Sequence, residues 1–235
     1  RTANPPALQI AAFGDPAPAQ ERSGRAERTE PPASLPVAER AWTLGPLPAT
    51  RDEVDSVAAL FRGSGAAFKG TDATESRATA MIGAARYVHF ACHAILDSRF
   101  PLDSALVLAA PAVDRPGDDN GLLQAWEIYE RIRLHADLVT LSACETALGR
   151  NSGGEGLVGL VRAFQFAGAR SVLASLWNIS DRSTPAFMTK FYRGLKSGVS
   201  MDEALRQAQL QDIRGSGERS RPFYWAAFEL QGDWK

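Results

Sequence analysis

The chain has 235 residues, 45% hydrophobic and 23% charged, with a net charge of −1, two cysteines and three histidines. This length suits one large α/β domain or two small ones. The near-neutral charge excludes an electrostatically driven nucleic-acid partner, the want of any apolar run near 18 residues argues against a membrane helix, and so few cysteines and histidines argue against structural zinc. The opening Arg1-Thr2-Ala3-Asn4-Pro5-Pro6, with no initiator Met and no apolar signal core, reads as the start of a soluble fragment of a longer protein. Two cysteines suit a reducing, cytoplasmic compartment.

Taken in order, "LQIAAF" at 8–13 predicts a strand closed by a Gly14-Asp15-Pro16 turn. Residues 17–48 are rich in Pro, Ala, Glu and Arg, which predicts a flexible or loosely packed surface excursion. "TRDEVDSVAALFRG" then carries helix signals: Thr50 as cap, Glu53 three residues on, Val54, Val57, Ala58 and Phe61 on one face, and Gly63 at the end. A short strand at 66–69, a helix at 74–84 and a β-rich run at 87–92 follow. "SALVLA" reads as a strand or hairpin arm, Asn120-Gly121 as a turn, and "LLQAWEIYERI" as an amphipathic helix. The rest predicts a strand in "DLVTLSA", a helix at 155–167, a strand in "SVLASLW", helices at 182–195 and 200–213, and a closing strand in "YWAAFELQG". Strands alternating with helices are the pattern of a mainly parallel sheet covered on both faces, and one α/β domain accounts for most of the chain.

Cys144 ends the apolar run "DLVTLSAC". A cysteine there is by itself better read as a small core hydrophobe than as a nucleophile. Its place separates the readings: in an open parallel sheet, functional groups gather beyond the carboxyl ends of the strands. His93 stands one residue past "YVHFAC" and Cys144 just past "DLVTLS", so parallel neighbouring strands would bring both to one rim. Their separation, 144 − 93 = 51 residues, matches the caspase arrangement of a nucleophilic Cys with its His about 50 residues upstream. A thiol near pKa ~8.5 needs such an imidazole to supply thiolate and to protonate a leaving amine.

"YVHFACHAILDSRFPLDSALVLA", "LVTLSACETALGR", "GGEGLVGLVRAFQFAGARSVLASLWNISD" and "RPFYWAAFELQGDW" resemble successive signature blocks of the CHAT domain, a caspase-like cysteine protease module associated with tetratricopeptide repeats. "AFGDP", "LPATRDEV" and "FKGTDATE" are similar to its opening section, so the resemblance covers nearly everything outside 17–37. It implies a caspase-like α/β fold over 1–235. In that fold His93 and Cys144 form the dyad of a cysteine endopeptidase, and the backbone N–H groups of Ala94 and Cys144 hold the oxyanion. It further implies a protein or peptide substrate, a bacterial source, and regulation by N-terminal tetratricopeptide repeats of the same polypeptide or by a regulatory protein. No cofactor or metal is expected. The family has Gly where this chain has Ala94, which matters only if φ there is positive. The contrasting reading is a caspase-like interaction module without turnover.

Comparison with relatives also implies a substrate pocket. Ser142 stands where relatives that cut after basic residues carry an acid, and "LWNISD" is similar to a separase stretch, which nominates Trp177, Asn178 and Asp181. Elsewhere, His89 reads as a structural or hydrogen-bonded strand residue and His135 as a solvated loop residue. Glu145 and Thr146 read as loop-ordering or capping residues. "GEGLVG" at 154–159 fits the dinucleotide pattern only formally, because it lies some twelve residues past Ser142 rather than at a tight strand-to-helix turn. Arg22, Arg25 and Arg28 in the excursion mark a site for self-processing or a merely solvated loop.

Overall fold

The structure, a computed structural model, describes residues 7–17, 41, 44–110, 119–142, 144–145, 155–177 and 183–234, and of 144 and 145 the backbone. Six strands form the main sheet in the order β10-β9-β7-β3-β1-β2. They are β1 (Leu8–Pro16), β2 (Gly65–Gly70), β3 (Ala85–Ala91), β7 (Leu138–Leu141), β9 (Ser171–Ser175) and β10 (Phe228–Gly232). The first five run parallel and β10 closes one edge antiparallel to β9. A second sheet, in the order β6-β5-β4-β8, is built from β4 (His93–Ile95), β5 (Ala105–Val107), β6 (Leu122–Gln124) and β8 (Cys144–Glu145).

Strand alternation divides the core between two helical layers. Phe13, Val88, Phe90, Val139 and Leu141 face one side, where they pack with α2 (Glu75–Ile82), α3 (Ala125–Arg131) and α4 (Glu155–Ala167). Ile10, Tyr87, Leu138 and Leu173 face the other, against α1 (Pro48–Leu60), α5 (Thr184–Lys196) and α6 (Met201–Ile213). Each wholly buried Phe or Leu in these layers contributes about 1.5–3 kcal/mol. The expected α/β architecture, a mainly parallel sheet with helices on both faces, is the one observed. No described helix is long and apolar enough to cross a membrane.

Three local expectations are corrected. β1 does not stop at Phe13 but continues to Pro16 through a register shift, with Asp15 at φ 41°. Gly14 makes that path possible, since a Cβ there would lie 2.8 Å from the Thr50 carbonyl oxygen. Thr50 is not the cap of α1: the helix starts at Pro48, whose fixed φ suits a first helical position, and Glu53 turns into the core. Residues 122–124 are strand β6, paired with β5, and the helix begins only at Ala125, where Glu127 accepts the Gln124 N–H. The closing strand expected in "YWAAFELQG" is β10, and the first two residues of that run belong to the short helix α7 (Pro222–Trp225).

α2 begins on Thr74, whose hydroxyl oxygen accepts the Arg77 N–H at 3.1 Å. Next to it, Glu75 accepts the Asn120 N–H at 3.2 Å and so ties α2 to the turn before β6. Burial, reinforced by the Glu127 and Asp119 carboxylates, pushes the Glu75 carboxyl up from 4.5 to about 7. A carboxyl whose folded pKa is raised stabilises the fold below its unfolded pKa, and the contribution is lost as pH rises through the folded value. The window is therefore 4.5 to about 7. Glu75→Gln should raise Tm at pH 8 and leave it unchanged at pH 4.5, read by thermal unfolding across that range.

Candidate functional site

β3 and β7 pair in parallel with His89 opposite Thr140 and Phe90 opposite Leu141. Beyond the main sheet the same two chain segments pair again as β4 and β8, with His93 opposite Cys144 and Ala94 opposite Glu145. The offset is constant, 140 − 89 = 51 and 144 − 93 = 51. The two segments thus leave the sheet in step, and the spacing noticed in the sequence is a strand register. Neighbouring strands lie about 4.8 Å apart, so the backbones at His93 and Cys144 are adjacent at the carboxyl rim.

The His93 ring is partly exposed, with Nδ1 shielded from solvent, and its Nε2 lies 2.7 Å from the Gly45 carbonyl oxygen. A carbonyl only accepts, so Nε2 is the protonated nitrogen, and in the neutral ring Nδ1 carries the lone pair. Sequence reasoning missed Gly45 because it falls inside the excursion predicted over 17–48. No side-chain chemistry marks a residue that acts through its carbonyl. Around it, Ala41 and Leu44 pack on Ile95, Ala105 and Leu122. Thr50 Oγ1 donates to the Leu47 carbonyl at 2.7 Å and accepts the Asp15 N–H at 2.8 Å. Arg51 adds two bonds to the Asp15 carboxylate, 2.8 and 3.0 Å. The start of α1 is thereby fastened to the end of β1, and Gly45 is held at the imidazole.

Ala94 lies in β4 between β5 and β8. Among described non-glycine residues only Asp15 has positive φ, so alanine at 94 carries no left-handed strain. Ser142 is buried at the end of β7. Trp177, just past β9, donates its Nε1–H to the Phe223 carbonyl at 3.0 Å and packs on the core between sheet and α5. Beside it, Leu176 and Phe223 expose 38% and 50% of their surface, giving this rim an apolar ledge. Asn178, Asp181, Thr146, Arg22, Arg25 and Arg28 lie outside the described residues.

His89 stands four residues before His93 but serves a different environment. It is wholly buried, with Nε2 2.9 Å from Glu53 Oε1 and Nδ1 3.2 Å from the Tyr192 hydroxyl, which lies 2.7 Å from Thr140 Oγ1. The structural reading of His89 holds, as does that of exposed His135. Cys92 is buried in the core. In "GEGLVG", a Cβ at Gly159 would lie 2.6 Å from the Pro101 carbonyl oxygen, so this glycine serves close packing of α4 on 96–104. Among the described residues no three His, Cys, Asp or Glu side chains converge as a metal site requires.

The model of the CHAT domain family matches residues 1–233. Tetratricopeptide repeat protein 28 of Mus musculus is 29% identical over 223 residues, covering 81% of this chain and 9% of that protein. The Homo sapiens protein of the same name is 28% identical over 225 residues, with the same shares. The chain therefore spans about a tenth of the length of these relatives.

Thr50 is buried and bonded on both sides. Thr50→Val keeps its volume but strands the Asp15 N–H, and should cost about 1–3 kcal/mol, read by urea unfolding. The His93 ring should lose protection of its Nε2 proton in the same variant.

Proposed function

The chain belongs to the CHAT domain family, and on that premise we propose that it is the caspase-like peptidase domain of a larger protein, using Cys144 and His93 as its dyad. The observation that carries this reading is the register pairing of His93 with Cys144 at the carboxyl rim. Paired positions of neighbouring strands share a face of a pleated sheet, which is what nucleophile and base require. In the proposed reaction the neutral His93 ring takes the thiol proton at Nδ1 while Nε2 stays bonded to Gly45. The Cys144 thiolate then attacks the scissile carbonyl, and the backbone N–H groups of Ala94 and Cys144 receive the oxyanion. The imidazolium returns its proton to the leaving amine. Water hydrolyses the thioester, and both groups are restored.

Ser142 and Trp177, with Asn178 and Asp181 from the segment that follows, remain the residues we nominate for the substrate pocket. The ledge of Leu176 and Phe223 favours an apolar side chain in a neighbouring subsite. We further infer that tetratricopeptide repeats control the domain, because the curated relatives are named for such repeats and are some tenfold longer than the matched region. A reducing cytoplasm suits the thiolate chemistry.

Cys144→Ala and His93→Ala should each lower peptide cleavage by at least about 10³-fold with circular dichroism unchanged. A peptidyl electrophile should label Cys144 selectively and only when His93 is present. Slow alkylation of Cys144 that is indifferent to His93, both in this chain and in the longer protein, would support the interaction module without turnover instead.

A further inference from the structure

Four polar side chains from four elements meet inside the protein with almost no access to solvent: Glu53 on α1, His89 on β3, Tyr192 on α5 and Thr140 on β7. One arrangement of protons satisfies the whole chain with a neutral imidazole. Thr140 Oγ1–H donates to the Tyr192 oxygen, Tyr192 O–H donates to His89 Nδ1, and His89 Nε2–H donates to the Glu53 carboxylate. Burial pushes the Tyr192 hydroxyl far above the ordinary phenol range, so it remains a donor at every working pH.

Stability alone does not account for such a chain. Apolar residues of the same volume often serve a core as well as buried polar ones do, or better. What directional bonds add is register. A slip of two residues between parallel strands leaves every side chain on its own face, so the alternation of faces alone does not exclude it. A hydroxyl bonded at once to His89 and Thr140 fits a single alignment, because those two residues are register partners. Four residues further along the same two segments, His93 and Cys144 are register partners too.

We propose that Tyr192 is a positioning residue: its hydroxyl clamps β3 and β7 in the register that sets His93 beside Cys144. The Glu53 end of the chain seats α1, whose leading segment brings the Gly45 carbonyl to His93. One buried chain thus controls both the alignment of the pair and the orientation of its imidazole. Calling the pair catalytic rests on the peptidase reading above; the mechanical coupling does not.

The test reads His93 itself. In protein labelled with ¹⁵N-histidine, nuclear magnetic resonance follows the tautomer of His93 and the solvent exchange of its Nε2 proton. Wild type is compared with Tyr192→Phe and Thr140→Val, which keep volume and remove one hydroxyl each. Phe187→Leu, in the same core layer but outside the polar chain, controls for general loosening. Tyr192→Phe and Thr140→Val should each speed exchange at His93 by about tenfold or more and mix its tautomers, while Phe187→Leu leaves both as in wild type. Where wild type cleaves peptides, the same two variants should lower kcat with KM unchanged. Exchange unchanged in both hydroxyl variants, or raised equally by Phe187→Leu, overturns the inference. The expected exchange pattern in a protein whose Cys144 shows no His93-dependent labelling would uphold the coupling and remove only the peptidase reading.

Discussion

Two parallel strands that leave a sheet without losing step set the geometry at the rim. β3 and β7 hold an offset of 51 residues inside the main sheet and keep it when they pair again as β4 and β8. Side chains in paired strands alternate with a period of two, so an error of one residue anywhere along the pair would turn His93 to the opposite face. The rim is therefore only as well defined as the sheet beneath it. The central strands of that sheet are covered on both faces, with Val88, Phe90, Val139 and Leu141 sealed against one helical layer and Tyr87 and Leu138 against the other.

Orientation of the imidazole has a separate source. α1 crosses the face opposite α4 and is bound at its start to the end of β1 through Thr50, Arg51 and Asp15. This fastening places a backbone carbonyl, Gly45, at His93 Nε2. A carbonyl held by a helix start has little freedom to move and accepts from a neutral or a charged ring alike. Two independent parts of the chain thus converge on one histidine: β4 carries its backbone and the segment before α1 fixes its tautomer.

Polar groups in the interior follow a consistent logic. A buried polar atom without a partner costs about 1–3 kcal/mol, and Glu53, His89, Tyr192 and Thr140 avoid this by bonding to one another. Glu75 is a contrasting case. It is bonded to backbone N–H yet crowded by two other carboxylates, and it responds by holding its proton to higher pH. The first arrangement binds four elements to one another, whereas the second makes the seam between α2 and β6 sensitive to pH.

Periodicity along the chain determined much by itself. Apolar residues on one helical face located α4 at 155–167 and came within two residues of α5 and α6, and the β-rich runs located β3, β7 and β9. The separation of His93 and Cys144, with their places at strand ends, was enough to nominate the rim and the two residues. The CHAT resemblance was legible because its blocks are local and ordered. Other features only the tertiary structure decided: that 122–124 is a strand, that Glu53 belongs to the core rather than to a helix cap, that Gly45 serves His93, and that His89 is one link in a buried chain. The reason is physical. Local pattern records which face of an element is apolar, whereas hydrogen bonds between residues 36, 48, 52 and 103 positions apart depend on which elements the folded sheet brings together, and no local preference carries that information.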